Sequence, residues 1–227
     1  MASQTPKELF NLGVKSSEAK DYIQAKKYFE KACNLNYGGG CGALGALYDN
    51  GKGVEKNLIK AAYFYSKACG LNVGLGCGVL GALYYNGQGV EKDLIKAAYF
   101  YSKACGLNVG LGCGVLGALY YNGQGVEKDL IKAAYFYSKA CGLNVGLGCG
   151  VLGALYYNGQ GVEKDLIKAA YFYSKACELK ERLGCSALAV LYINGQGVEK
   201  NLTKADQYIS KACKLGDQEA CEALKEK

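Results

Sequence analysis

Histidine is absent from all 227 residues, and Arg182 is the only arginine among 27 basic side chains. Without imidazole, and without the Cys-x2–4-Cys clusters that hold zinc, no metal site can be read. The near absence of guanidinium argues against nucleic-acid recognition, which uses arginine for bidentate contacts and gathers charge on one face. No stretch approaches the roughly 18–20 unbroken apolar residues of a membrane helix. The opening MASQTPKELF lacks the basic-then-apolar order of a signal peptide. Cys-x-x-Cys is also missing, which removes thioredoxin-type redox chemistry.

What the chain does have is repetition. Residues 70–105, 106–141 and 142–177 carry one identical 36-residue block, and diverged copies occupy 34–69 and 178–213. A period in this range marks a solenoid, whose units bury their apolar faces against one another. Recent gene duplication and multiplication of a consensus unit would both produce such a triplet. The net charge of +7 is spread along the repeats: each block contributes the equivalents of Glu91, Lys92, Asp93, Lys96 and Lys103. That pattern reads as a solvated lysine face rather than a concentrated patch.

Within a block, Cys113, Leu116, Gly117 and Tyr120 fall at i, i+3, i+4 and i+7. Leu130, Ala133, Ala134, Tyr137, Ala140 and Cys141 continue that spacing, so each block predicts two amphipathic helices. The intervening Asn122-Gly123-Gln124-Gly125-Val126 is a glycine-permitted reversal. Asn57, Asp93, Asp129, Asp165 and Asn201 stand where the second helix needs an N-cap. Asn36, Asn72, Asn108, Asn144 and Gly216 suit a left-handed turn after it, a rule that Lys180 breaks. Residues 7–33 form a variant pair with a loop about four residues shorter, and 217–227 a lone polar-faced capping helix. The expected fold is all-α: an α/α solenoid of about thirteen helices forming a single domain over 1–227. Interior glycines such as Gly112 and Gly114 weaken the first helix of each pair. Gly117 has a packing reason, whereas none is evident for the other two.

The twelve cysteines fall as Cys33/Cys41, Cys69/Cys77, Cys105/Cys113, Cys141/Cys149, Cys177/Cys185 and Cys213/Cys221, each pair Cys-x7-Cys. A disulfide framework, and with it a secreted or periplasmic protein whose export signal is missing from this chain, is the preferred reading. Small buried apolar residues are the alternative.

The run Leu-Gly-Ala-Leu-Tyr-Tyr-Asn-Gly-Gln-Gly-Val-Glu-Lys-Asp, followed by Lys-Ala-Ala and Ser-Lys-Ala-Cys, resembles the Sel1-like repeat, a longer-looped relative of the tetratricopeptide repeat. With Cys-x7-Cys in every unit, the chain is similar to the Helicobacter cysteine-rich protein family over residues 7–227. The resemblance implies a right-handed superhelix of antiparallel helix pairs, disulfides tying one helix to the next, and secretion. It also implies a β-lactamase or penicillin-binding label, whereas the repeat fold itself serves protein recognition. On that stack we expect six disulfides, each within one Cys-x7-Cys pair, because equivalent cysteines of successive units lie too far apart to bridge.

For hydrolysis, Ser17-Glu18-Ala19-Lys20 matches the Ser-x-x-Lys element, with Ser17 as nucleophile and Lys20 as its activator. Tyr84-Tyr85-Asn86 matches Tyr-x-Asn but recurs as part of the repeat, and Lys-Thr-Gly is absent. For recognition, the first helix of each pair should line a concave face, with Leu111, Gly114, Ala118, Tyr121 and Asn122 pointing inward. Tyr85/Asn86, Tyr121/Asn122 and Tyr157/Asn158 then form a ladder suited to an extended protein or peptide partner. The competing reading is that Tyr121 fills space between repeats. Tetratricopeptide carboxylate clamps carry lysine and asparagine where this chain has Gly114 and Ala118, so no clamp is expected. The sequence thus points to a monomeric recognition scaffold that needs no cofactor, with β-lactam hydrolysis or binding as the alternative.

Overall fold

The computed structural model describes residues 4–225, and among these every regular element is helical. The helices fall into two compact units, residues 1–109 and 110–227. The first unit holds α1 (Pro6–Glu18), α2 (Tyr22–Asn34), α3 (Gly38–Asn50), α4 (Leu58–Gly70), α5 (Gly74–Asn86) and α6 (Leu94–Gly106). The second holds α7 (Gly110–Asn122), α8 (Leu130–Gly142), α9 (Gly146–Asn158), α10 (Leu166–Glu178), α11 (Arg182–Asn194), α12 (Leu202–Lys214) and α13 (Gln218–Lys225). Within each unit, consecutive helices pack against one another.

The helix ends follow from local chemistry. Asn57, Asp93, Asp129, Asp165 and Asn201 each accept a hydrogen bond from the backbone N–H three residues on, starting the even-numbered helices from α4 to α12. After the even helices, Asn36, Asn72, Asn108 and Asn144 adopt φ of 59–62° and Gly216 φ of 90°. Lys180 takes the same left-handed turn at φ 62° although lysine gains nothing there. The turn is closed by backbone hydrogen bonds from Lys180 N–H to the Cys177 carbonyl (3.1 Å) and from Glu181 N–H to the Ala176 carbonyl (2.9 Å). In the long loops, a Cβ on Gly89 or Gly161 would collide with the backbone of Leu58 or Leu130, at the start of the preceding even helix. That loop is therefore a contact between repeats as well as a turn.

The core of each hairpin pairs a bare helix with an aromatic one. Tyr65, Tyr101, Tyr137 and Tyr173 are buried on the even helices, each ring against a glycine of the odd helix: Gly45, Gly81, Gly117 and Gly153. In the last hairpin both partners change, to Ala189 and Ile209, which line one small cavity. On the other side, Tyr84 stacks on Phe100 at 5.5 Å, and Tyr120–Phe136 and Tyr156–Phe172 repeat the arrangement. Lys96, Lys132 and Lys168 lie over those tyrosine rings at 5.2–5.3 Å. Part of the lysine face thus serves as lids on the aromatic stacks.

Disulfides join Cys33–Cys41, Cys69–Cys77, Cys141–Cys149, Cys177–Cys185 and Cys213–Cys221, with Cα–Cα separations of 4.5–4.6 Å. Cys105 and Cys113 are disulfide-bonded as well, so no cysteine is free. Each bridge closes a short loop worth roughly 2.5 kcal/mol in the chain-entropy picture. The bridges explain glycines that lacked a reason at the level of sequence. Gly40, Gly76, Gly148 and Gly184, one residue before the odd-helix cysteine, would place a Cβ within 2.5–2.9 Å of an alanine methyl on the even helix. This corrects the expectation for the Gly112 position, whose equivalents permit the close approach. The Gly114 position differs, because a Cβ there would meet only Ala140, at an ordinary 3.8 Å.

Two measurements check this account. Gly78→Ala, Gly114→Ala and Gly150→Ala should each stabilise by up to about 1 kcal/mol, whereas Gly76→Ala or Gly148→Ala should cost about 1–3 kcal/mol; denaturant midpoints read the difference in sign. Lys180→Asn should raise stability by about 0.5 kcal/mol by relieving the left-handed backbone; an unchanged midpoint would mean that the turn carries no strain.

Candidate functional site

In the second unit, the odd helices α9 and α11 together present an apolar stripe. Leu147, Gly150, Val151 and Ala154 stand at i, i+3, i+4 and i+7 on α9, and with Gly184 and Ala187 of α11 they line a cavity of about 250 Å3. These are the positions of Leu111, Gly114 and Ala118 in α7, so this part of the expected inward stripe is gathered in one place. Leu75, Leu111, Leu147 and Leu183 open the odd helices with well over half of their surface exposed. Asn86, Asn122 and Asn158 close α5, α7 and α9 and are exposed. The equivalent Asn50 turns its amide back to donate to the Ala46 carbonyl at 2.8 Å.

The tyrosines of the expected ladder behave differently. Tyr85, Tyr121 and Tyr157 are half-buried. The Tyr121 hydroxyl lies 3.5 Å from Gln160 Oε1, and that of Tyr157 lies 3.4 Å from Gln196 Oε1. Both glutamines belong to the loop of the following repeat. Lys128 and Lys164 cover the rings at 6.0 and 5.8 Å. Tyr121 and Tyr157 also pack onto the clusters centred on Tyr137 and Tyr173. Burial, and next the adjoining phenols of Tyr121 and Tyr157, push Tyr137 and Tyr173 above the usual tyrosine pKa; Tyr101 is raised likewise by burial and Tyr85. Each ladder therefore has an exposed asparagine beside a tyrosine that already bonds or packs within the protein.

Ser17 sits in the last turn of α1, half-buried, and its carbonyl accepts the Lys20 N–H at 3.0 Å. Lys20 lies beyond the helix in a left-handed turn, φ 61°, so the pair does not share a helical register. A shallow space of about 660 Å3 runs along the exposed side of α1 past Glu8, Asn11 and Lys15. Tyr84 belongs to an aromatic stack, as described above. Among the described residues, no three Cys, Asp or Glu side chains gather as a metal ion would require.

Two features went unread in the sequence. On the outer side of the even helices, Ile95 (73% exposed) and Tyr99 (62%) form an apolar pair, repeated at Ile59/Tyr63, Ile131/Tyr135 and Ile167/Tyr171. Their i, i+4 spacing opposite the alanine face was the available signal. The second is at the C-terminal end, where Ser186 Oγ donates to Asp217, Asp217 caps α13 through the Ala220 N–H, and Arg182 donates to the Gly216 carbonyl. The Ser186 hydrogen bond, then the Ala220 N–H and the charge of Arg182, hold the Asp217 carboxyl below its ordinary pKa.

Comparison with known proteins places these features in context. The Sel1 repeat matches residues 9–37, 40–73, 76–109, 112–145, 148–181 and 182–217. HcpC of Helicobacter pylori strain J99 is 62% identical over 58 residues, 26% of this chain and 20% of that protein. HcpA of the same strain, named a β-lactamase, is 53% identical over 58 residues, 26% of this chain and 23% of that protein. The chain thus aligns with about a fifth of the length of these relatives. Among solved structures, c5321, a protective antigen of uropathogenic Escherichia coli with an SLR fold, superposes with a TM-score of 0.90 at 29% identity, covering 95% of this chain and 47% of that one. A Sel1 repeat protein of Oxalobacter formigenes gives 0.87 at 27% identity, covering 91% and 85%.

Tyr157→Phe, which removes only the hydroxyl facing Gln196, should cost about 0.5 kcal/mol. Tyr157→Ala, which empties half-buried volume, should cost about 2 kcal/mol. Equal stability of the two variants in urea would show that the ring contributes nothing to the packing between repeats.

Proposed function

The chain belongs to the Sel1 repeat family, and from that premise we propose that it acts as a single solenoid whose odd-helix side, the concave face of such a stack, recognises an extended segment of a protein partner. It is a disulfide-bonded repeat scaffold of the kind that mediates protein interaction. The observation that carries the finer reading is the exposed leucine at the start of α5, α7, α9 and α11, with an exposed asparagine at the end of α5, α7 and α9. Leucine supplies desolvation, and an asparagine amide can pair with both N–H and C=O of an extended backbone. The half-buried tyrosines enter the proposal as walls that hold the row in register. No described helix is long and apolar enough to cross a membrane. Twelve oxidised cysteines favour a secreted or periplasmic setting, since cytosolic thiols are kept reduced.

The name of HcpA suggests β-lactam hydrolysis as the rival, and Ser17 as its test. Wild-type protein and Ser17→Ala should give the same background rate with nitrocefin. A turnover lost in the variant would move the function to α1. For recognition, Asn86→Ala, Asn122→Ala and Asn158→Ala together should leave the thermal midpoint within about 2 °C while reducing partner capture from envelope extracts at least fivefold. Full capture by that folded variant would place the contact elsewhere, and the Ile95–Tyr99 side of the even helices would be the next surface to change.

A further inference from the structure

The cavity between α9 and α11 is where the last full repeat departs from its neighbours. Glu181 stands where the three identical blocks have Val73, Val109 and Val145 and the first copy has Tyr37. Ala187 stands where the blocks have Val79, Val115 and Val151, an alanine shared only with Ala43 of the first copy. Both changes line the same space of about 250 Å3, together with Leu147, Gly150, Ala154 and Leu183. The valine-to-alanine change removes two methyl groups from the wall. The valine-to-glutamate change adds a carboxylate to an otherwise apolar lining. The Glu181 stem runs along α9, its Cγ 3.7 Å from where a Gly150 Cβ would be. One oxygen, Oε1, accepts the Leu183 N–H at 3.4 Å and so caps α11; among the described residues no hydrogen bond engages Oε2. Of the two cations adjacent in sequence, Arg182 donates to the Gly216 carbonyl at 3.1 Å, and among the described residues no ion pair joins Lys180 to Glu181.

We propose that this cavity is a subsite for one lysine side chain of a bound segment, its aliphatic stem against Leu147, Ala154 and Leu183 and its ammonium on Glu181 Oε2. The volume is below the 300 Å3 or so of small-molecule pockets and matches a single long side chain. The lining is apolar along the stem and anionic at one edge, which is the distribution that a lysine carries in mirror image. A plain apolar side chain would leave the carboxylate desolvated against it without a partner. The subsite rests on the reading that the odd-helix side binds a peptide, and it specifies one position of that ligand.

The test uses the full-length oxidised protein and two capped pentapeptides, Gly-Ala-Lys-Ala-Gly and its norleucine analogue, which keeps the stem and lacks the ammonium. Titration followed by amide chemical shifts should show the lysine peptide bound about fivefold more tightly at low salt, with the largest shifts at Leu147, Gly150 and Leu183. Glu181→Gln, which keeps the shape, should erase that preference while leaving norleucine binding unchanged. Ala187→Val should weaken both peptides by refilling the space. Equal affinities in the wild type, a preference that survives Glu181→Gln, or no shifts with the lysine peptide would each overturn the subsite. The broader reading is judged separately, by partner capture with the asparagine variants: Glu181→Gln with capture intact removes the subsite alone, whereas capture untouched by the asparagine variants removes the odd-helix surface as a whole.

Discussion

Within each unit, the close approach of an even helix to the odd helix that follows is the constraint on which the rest depends. The bridged cysteines sit with Cα atoms 4.5–4.6 Å apart, near the lower end of what a disulfide spans. The residue beside the odd-helix cysteine must then be glycine, because the Ala68 or Ala140 methyl occupies the space that a side chain would need. Small residues on both sides leave little apolar volume to drive association. The covalent bond and the aromatic stacks supply what the alanine–glycine seam cannot.

That constraint also explains the division of labour among the aromatics. A bare odd helix cannot fill its own hairpin, so the even helix lends Tyr101, Tyr137 or Tyr173 to cover the glycine. Tyr84, Tyr120 and Tyr156 return the contact by stacking on phenylalanine. The tyrosine that follows the stacked one in two of the blocks, Tyr121 or Tyr157, reaches forward to a glutamine in the next loop. Three tyrosines in similar local sequence thus face a core, a lysine and a neighbouring repeat.

Much of this was legible before any coordinates. Helix spacing, the Asp and Asn caps and the cysteine period are local signals, and they located thirteen helices and their turns. Gly76 and Gly148 escaped because their reason lies on another helix, in an alanine methyl eight residues back whose distance no periodicity encodes. Lys180 escaped because a turn closed by backbone hydrogen bonds does not need the residue that favours it. Tyr121 and Tyr157 could be read either as groove residues or as filler between repeats, because whether a hydroxyl faces a ligand or Gln160 depends on the height of the next loop. Glu181 and Ala187 are six residues apart and unremarkable singly; only the superposition of α9 and α11 makes them parts of one cavity.

The spacing of the cysteines has a consequence for how the chain matures. Twelve thiols allow on the order of ten thousand complete pairings, yet every bridge described joins residues separated by eight positions. A chain emerging from its N-terminus exposes each pair of partners almost together and long before the next pair follows. Correct pairing is then a matter of arrival order rather than of search. A unit copied in tandem brings its own short-range crosslink, so the stack can lengthen without enlarging the problem of oxidative folding.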